Sequence, residues 1–210
     1  MIDKNMLDIP LETETKQTTN GITKTTSKIE TIYPTSQSEA NTKTSGLVLP
    51  TSVKSYDLQN LANGSTEVSY DKYDSKGNLQ QYTTKDGIST TIIWGYNQTQ
   101  PIVKIEGAKW SDIQQSAIDI IVNASNTDAT AAPNNDESAF LDILKTFRNN
   151  FPNYQVTTYT YNPLIGVTSI TPPSGIRMVY LYDSANRLME IREQNQTGKL
   201  LKEFKYNYKN

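Results

Sequence analysis

The stretch VYLYDSANRLMEIREQNQTGKLLKEFKYNY, Val179 to Tyr208, decides the architecture. Apolar residues alternate on each side of a break, Asn195-Gln196-Thr197-Gly198, that ends in glycine. Alternation with period two marks strands, and a short polar break with glycine marks a hairpin turn. The entry to this module, Tyr182-Asp183-Ser184-Ala185-Asn186-Arg187-Leu188, has a near copy upstream, Tyr73-Asp74-Ser75-Lys76-Gly77-Asn78-Leu79. In each copy Tyr and Asp end a strand, and the Asp carboxylate is placed to accept an N–H two residues on, in an Asx-turn. Three residues after the Asp stands Gly77 or Asn186, the two residue types that best tolerate positive φ. Leu79 or Leu188 then begins the next strand.

This pattern resembles the YD-repeat, or RHS-repeat, family. The resemblance covers roughly residues 50–105 and 154–208 and rests on Tyr73, Asp74, Gly77, Asn78 and Leu79, and on Tyr182, Asp183, Asn186, Arg187 and Leu188. A weaker copy, Tyr159-Thr160-Tyr161-Asn162-Pro163-Leu164-Ile165-Gly166, has Asn for the Asp and Pro after it. Units of this kind recur every ~20–25 residues, as a stacked repeat would require. The resemblance implies a bacterial secreted or cell-surface protein in which successive β-hairpins wind into a shell. It also implies neighbouring repeats of a longer chain as partners, and it allows carbohydrate binding.

Composition narrows the chemistry. The chain has 210 residues, a net charge of −2 and 35% hydrophobic residues, with a mean hydropathy of −0.60. A near-neutral balance does not favour a nucleic-acid surface. There is no cysteine and no histidine. Disulfides, thiolate metal sites, Ser-His-Asp and Cys-His catalysis and the zincin motif are thereby excluded. No apolar run is long enough for a membrane-crossing helix, and the first residues lack the pattern of a signal peptide. The chain is then either cytoplasmic or a fragment from inside a longer secreted chain, and the resemblance favours the fragment. No catalytic, cofactor-binding or metal-binding residues are expected.

The carboxylate pairs do not suggest an enzyme. Asp74 is accounted for by its turn, and Glu190 and Glu193 fall on opposite faces of a strand, whereas glycoside hydrolysis needs two carboxylates across one cleft. A calcium site at Asp71, Asp74 and Asn78 lacks EF-hand spacing. The tyrosines and tryptophans on strands leave two readings open. One is cross-strand packing. The other is a platform that stacks sugar rings, with Tyr82, Trp94 and Tyr96 as its residues.

The order of elements follows from the turn signals. Residues 1–46 read as a Thr/Ser-rich lead, either a hairpin around Asn20-Gly21 or a disordered stretch, and 34–46 as a loop. Residues 47–107 read as β-hairpin repeats, with type I′ turns at Asn63-Gly64 and Asp86-Gly87. Trp94 and Tyr96 are expected on one strand face. Residues 108–152 read as an inserted α-helical hairpin. Its first stripe is Trp110, Ile113, Ala117, Ile120, Ile121 and Ala124, capped by Ser111 with Gln114. A loop over 125–134 precedes a second stripe, Phe140, Ile143, Leu144, Phe147 and Phe151, with Asp136 and Glu137 at its start. Residues 153–210 return to hairpin repeats. The predicted class is mainly β: successive antiparallel hairpins with a helical insert at about 108–151.

Overall fold

A computed structural model describes residues 9–58, 60–130 and 137–207. The protein is mainly β, with antiparallel hairpins in chain order and a helical insert. It forms two compact units, Met1–Thr90 and Thr91–Asn210.

The first unit contains β1 (Glu12–Thr19), β2 (Ile22–Ile32), α1 (Gln37–Lys43), β3 (Ser52–Tyr56), β4 (Gly64–Tyr73) and β5 (Leu79–Thr84). Each strand pairs antiparallel with the one before it. The β1–β2 turn has Asn20 at φ 52° and Gly21 at φ 77°, the two positive angles of a type I′ turn. The other two expected I′ turns are corrected. Gly64 already belongs to β4 and has no positive φ, and the connection is a longer loop in which Asp57 N–H donates to Asn63 O at 3.1 Å. At the next turn only Gly87 is left-handed, at 82°, while Asp86 is not.

The expected loop at 34–46 contains α1. Ser36 Oγ accepts from Glu39 N–H at 3.1 Å, and Glu39 Oε2 accepts from Thr35 N–H at 2.9 Å. This reciprocal capping satisfies two N–H groups that a helix start leaves unpaired.

The division between the units falls inside β6 (Ser89–Gly95). The second unit continues with β7 (Gln100–Glu106), a 3-10 turn at Trp110–Asp112, α2 (Gln115–Thr130), α3 (Ser138–Asn149), β8 (Gln155–Asn162), β9 (Gly166–Thr171), β10 (Met178–Tyr182), β11 (Leu188–Glu193) and β12 (Leu200–Glu203). The stripes of the insert face the sheet except at Ile120, which is 58% exposed, while Ile118, outside the expected stripe, is buried. Ile118 and Ile121 of α2 and Phe140, Leu144 and Phe147 of α3 bury against Ile93, Ile102, Val103, Ile105 and Val156. Burying such a side chain contributes ~1.5–3 kcal/mol, so this packing is the main apolar core.

Details of the insert depart from expectation. Ser111 does not cap α2. Its place is inside the 3-10 turn, where Asp112 Oδ2 accepts from Lys109 N–H at 2.8 Å. Nor does α2 end at Ala124. It runs on through Asn126 and Asp128, side chains with partners on the β6–β7 turn. Asp136 and residues 131–134 of the expected loop lie outside the described residues, as does Tyr208.

Candidate functional site

The YD segments build two turns with the same hydrogen-bond set. In the first, Asp74 Oδ1 accepts from Lys76 N–H at 2.9 Å and Asn78 N–H at 2.8 Å. Asp74 Oδ2 accepts from Asn78 Nδ2 at 2.9 Å. In the second, Asp183 Oδ1 accepts from Ala185 N–H at 2.8 Å and Arg187 N–H at 3.0 Å. Asp183 Oδ2 accepts from Arg187 Nε at 2.8 Å. Main-chain bonds match as well: Asp74 N–H to Asn78 O and Asp183 N–H to Arg187 O are both 2.9 Å. Gly77 lies at φ 88° and Asn186 at φ 59°. Leu79 and Leu188 open β5 and β11. Arg187 and its hydrogen bonds hold the Asp183 carboxyl below the usual range.

The tyrosine of the motif has a task that the sequence reading missed. Tyr73 Oη donates to Pro50 O at 2.8 Å, and Tyr182 Oη donates to Val167 O at 2.8 Å. The weaker copy does the same, with Tyr161 Oη on Pro101 O at 3.0 Å. Asn162 Oδ1 accepts from Leu164 N–H at 3.0 Å, so the amide replaces the Asp in its Asx-turn. In all three cases a phenol at the end of one strand reaches a carbonyl at or just before the start of the preceding one.

Of the three aromatics considered for sugar stacking, Tyr96 is removed. It lies beyond β6, in a run of three left-handed residues, Tyr96, Asn97 and Gln98, at φ 50°, 58° and 63°. It does not share a strand face with Trp94. Tyr96 is 2% exposed, and edge-to-face contacts with Phe140 and Tyr161 enclose it. Tyr82 is half-buried opposite Tyr70, and Trp94 is half-buried on β6.

A left-handed run of non-glycine residues is strained by ~1–2 kcal/mol per residue, so it persists only where neighbours hold it. Here α2 does so. Tyr96 N–H donates to Ser125 Oγ at 3.1 Å, Asn97 N–H to Asn126 Oδ1 at 2.7 Å, and Tyr96 Oη to Asp128 Oδ2 at 2.7 Å. Tyr161 N–H in turn donates to Tyr96 Oη at 2.9 Å. Glu137, left-handed at φ 58°, starts α3 and accepts from Thr160 Oγ1 at 2.9 Å and from Thr168 Oγ1. Burial pushes the Glu137 carboxyl up. At the far end of α3, Arg148 donates to Val156 O at 2.5 Å, Thr171 O at 2.9 Å and Pro172 O at 2.8 Å. Of these residues, Glu137 is expected from the sequence as a charge at a helix start. Asp128, Thr160 and Thr168 carry no local signal.

Neither arrangement is a catalytic constellation on its own terms. The turn carboxylates are engaged with their own loops. Among the described residues, no cluster of three or more Asp or Glu side chains is placed to hold a metal ion, and no helix is long and apolar enough to cross a membrane.

No family model matches the sequence, and no curated protein matches it. Solved structures give distant likenesses. TcdB2-TccC3 without its hypervariable C-terminal region is similar at a TM-score of 0.45 and 11% identity, over 85% of this chain and 7% of that one. TcdB2-TccC3 is similar at 0.22 and 14%, over 88% of this chain and 11% of that one. TcdB2-TccC3-TEV is similar at 0.25 and 14%, over 94% of this chain and 12% of that one. The chain thus spans 7–12% of the length of these proteins. Likeness of this degree carries no functional assignment.

Proposed function

We propose that the chain is a non-enzymatic structural segment of a YD/RHS-type repeat protein, a secreted or surface shell whose sheet continues into neighbouring repeats. Residues 47–107 and 153–210 are its repeat segments, 1–46 a lead and 108–152 an insert. One observation carries the reading: in the two YD turns the Asp Oδ1 accepts from the same two main-chain N–H groups, two and four residues on, with Gly77 and Asn186 at the same left-handed position. Two such turns at different places in one chain are one unit used twice.

The test appends a second copy of residues 179–203 to the C-terminus. In a stacked repeat each unit is stabilised by its neighbour, so the urea midpoint of the extended chain rises and the new copy resists protease. A control copy with Tyr182, Asp183, Asn186 and Leu188 permuted gives neither effect. If the authentic copy stays protease-sensitive and leaves the midpoint unchanged, the repeat reading fails.

A further inference from the structure

Four Asn-x-Ser/Thr triplets occur in the sequence, at Asn63, Asn97, Asn123 and Asn195. The triplet is the acceptor signal for sugar transfer to an asparagine amide at a protein surface. The chemistry asks for an accessible amide nitrogen that is not engaged elsewhere. It also asks for a hydroxyl, two residues on, that reaches the same side chain.

Three of the triplets fall short. Asn123 is exposed on α2, but Ser125 is 0% exposed. Ser125 Oγ is engaged on both sides, donating to Val122 O at 2.8 Å and accepting from Tyr96 N–H at 3.1 Å. Asn97 is tied by its N–H to Asn126 Oδ1 at 2.7 Å. Thr99 Oγ1 donates to Tyr96 O at 2.6 Å, so that hydroxyl is not held on the Asn97 side chain. Asn63 is exposed, but Gly64 and Ser65 already belong to β4. Extended backbone sets side chains two residues apart at about 7 Å, which keeps Ser65 Oγ from the Asn63 amide.

Asn195 meets both conditions. It lies in the turn between β11 and β12, and Asn195, Gln196 and Thr197 are all exposed. Thr197 N–H and Thr197 Oγ1 both donate to Asn195 Oδ1, at 2.9 and 3.0 Å. Among the described residues Asn195 Nδ2 has no hydrogen-bond partner. Main-chain bonds fix the turn: Asn195 N–H donates to Glu193 O at 2.8 Å and Gly198 N–H to Asn195 O at 3.1 Å. The carboxamide is presented with its oxygen held by two donors and its nitrogen unengaged.

We propose that Asn195 is an N-glycosylation site. The donor is a glycosyl diphosphate, carried on a nucleoside or on a polyprenyl lipid and brought by a glycosyltransferase. Asn195 Nδ2 bonds to the anomeric carbon as that carbon's bond to the diphosphate breaks. The diphosphate leaves with the electron pair, and the Nδ2 proton passes to a base of the transferase. An amide nitrogen is a poor nucleophile because its lone pair is shared with the oxygen. Loss of its proton places negative charge on Oδ1, where the two Thr197 donors already stand, and donors preorganised at a developing charge lower the barrier. Thr197 is thus a positioning residue. The site does not rest on the repeat reading.

The test uses the purified chain in two arms. One supplies a soluble N-glycosyltransferase with UDP-glucose, the other a membrane oligosaccharyltransferase with a polyprenyl diphosphate oligosaccharide. Peptide mass spectrometry locates the sugar, and the arm that reacts identifies the donor. Asn195 should be modified at least about tenfold faster than Asn63, Asn97 or Asn123 in the folded chain. In short synthetic peptides, each carrying one triplet, that preference should largely vanish, because the turn that holds Oδ1 is lost. Thr197→Val should slow the reaction at Asn195 by at least about tenfold, the rate equivalent of a hydrogen bond to a developing charge. Thr197→Ser should recover most of it, and an unchanged urea midpoint shows that both variants are folded. The inference is overturned by no sugar on Asn195 in either arm, by equal rates at the four triplets in the folded chain, or by a preference for Asn195 that is undiminished in the peptides.

Discussion

Gly95→Ala tests how closely α2 is seated on β6. A Cβ built on Gly95 would stand 2.2 Å from Ser125 Oγ and 2.8 and 2.9 Å from Cγ2 and Cδ1 of Ile102. Ordinary contact is ~3.5–4.0 Å, so the hydroxyl must withdraw by more than an ångström. Ile102 is 0% exposed and has no room to follow. Once Ser125 Oγ withdraws, Tyr96 N–H loses its 3.1 Å acceptor inside the protein. An orphaned buried donor costs ~1–3 kcal/mol, and an overpacked methyl costs ~1–3 kcal/mol. The expected loss is therefore ~2–5 kcal/mol, from a single added carbon at a residue whose φ is not left-handed. Urea denaturation followed by circular dichroism measures it. Ser125→Ala should lose only the orphaned-donor part, and Gly95→Ala with Ser125→Gly should recover some but not all of the loss. A Gly95→Ala midpoint equal to the parent's, corresponding to less than ~0.5 kcal/mol, would refute the close approach of α2.

At the turns, Gly77→Val should cost ~1–3 kcal/mol, because φ 88° is closed to a β-branched residue, while the nearest methyls are at ordinary distance. Asn186→Gly at φ 59° should be nearly neutral in the same titration. Arg148→Met leaves Val156 O, Thr171 O and Pro172 O without their donor and should cost ~2–4 kcal/mol, with Arg148→Lys recovering only part, since an ammonium cannot span three carbonyls as a guanidinium does. Glu137 sets a pH dependence. Its carboxyl is raised by burial, so the folded state favours the proton, and this stabilisation is complete below the ordinary glutamate range and fades as pH rises through the folded value. The difference in unfolding free energy between the parent and Glu137→Gln should therefore shift against the parent as pH rises from 4 to 8, and a flat difference would contradict the burial.

Hairpin order was legible because turn chemistry is local. Asn20-Gly21 and the two YD segments specify their own backbone, and the alternation on either side specifies the strands. α1 was missed although its signal was present: Ser36 with Glu39 is a capping-box spacing, but a seven-residue helix with Ala40 as its one apolar residue offers no stripe to notice. The end of α2 could not be read, since Thr, Asn and Asp after Ala124 favour a loop. Tertiary bonds from Ser125, Asn126 and Asp128 to the turn after β6 override that preference. Tyr96 misled for the related reason that alternation with Trp94 continues into a turn with no glycine or proline inside it. The left-handed run there is stabilised by α2, which lies thirty residues away in sequence. Interaction at that separation leaves no local trace.

The motif and the segments that cover it divide the work between them. Tyr, Asx and the left-handed residue define how a strand ends, and the phenol then reaches across to the preceding strand. That reach is possible only if the two strands have parted, so each copy of the turn comes with a gap. Covering that gap is left to whatever precedes or follows it: Ser45, Leu47 and Leu49 after α1 at the end of β4, and the helices α2 and α3 beside β7 and β8. The segments that cover the Tyr73 and Tyr161 turns share no sequence pattern, and those two turns share the phenol-to-carbonyl bond and the Asx bond to the N–H two residues on. The buried apolar side chains follow the same division. Among the described residues up to Thr90, Ala40 of α1 and Tyr73 of the first turn are the only buried apolar side chains, and the large core lies under α2 and α3. The insert packs its apolar stripes on β6 to β8, so most of the buried apolar side chains belong to that part of the chain.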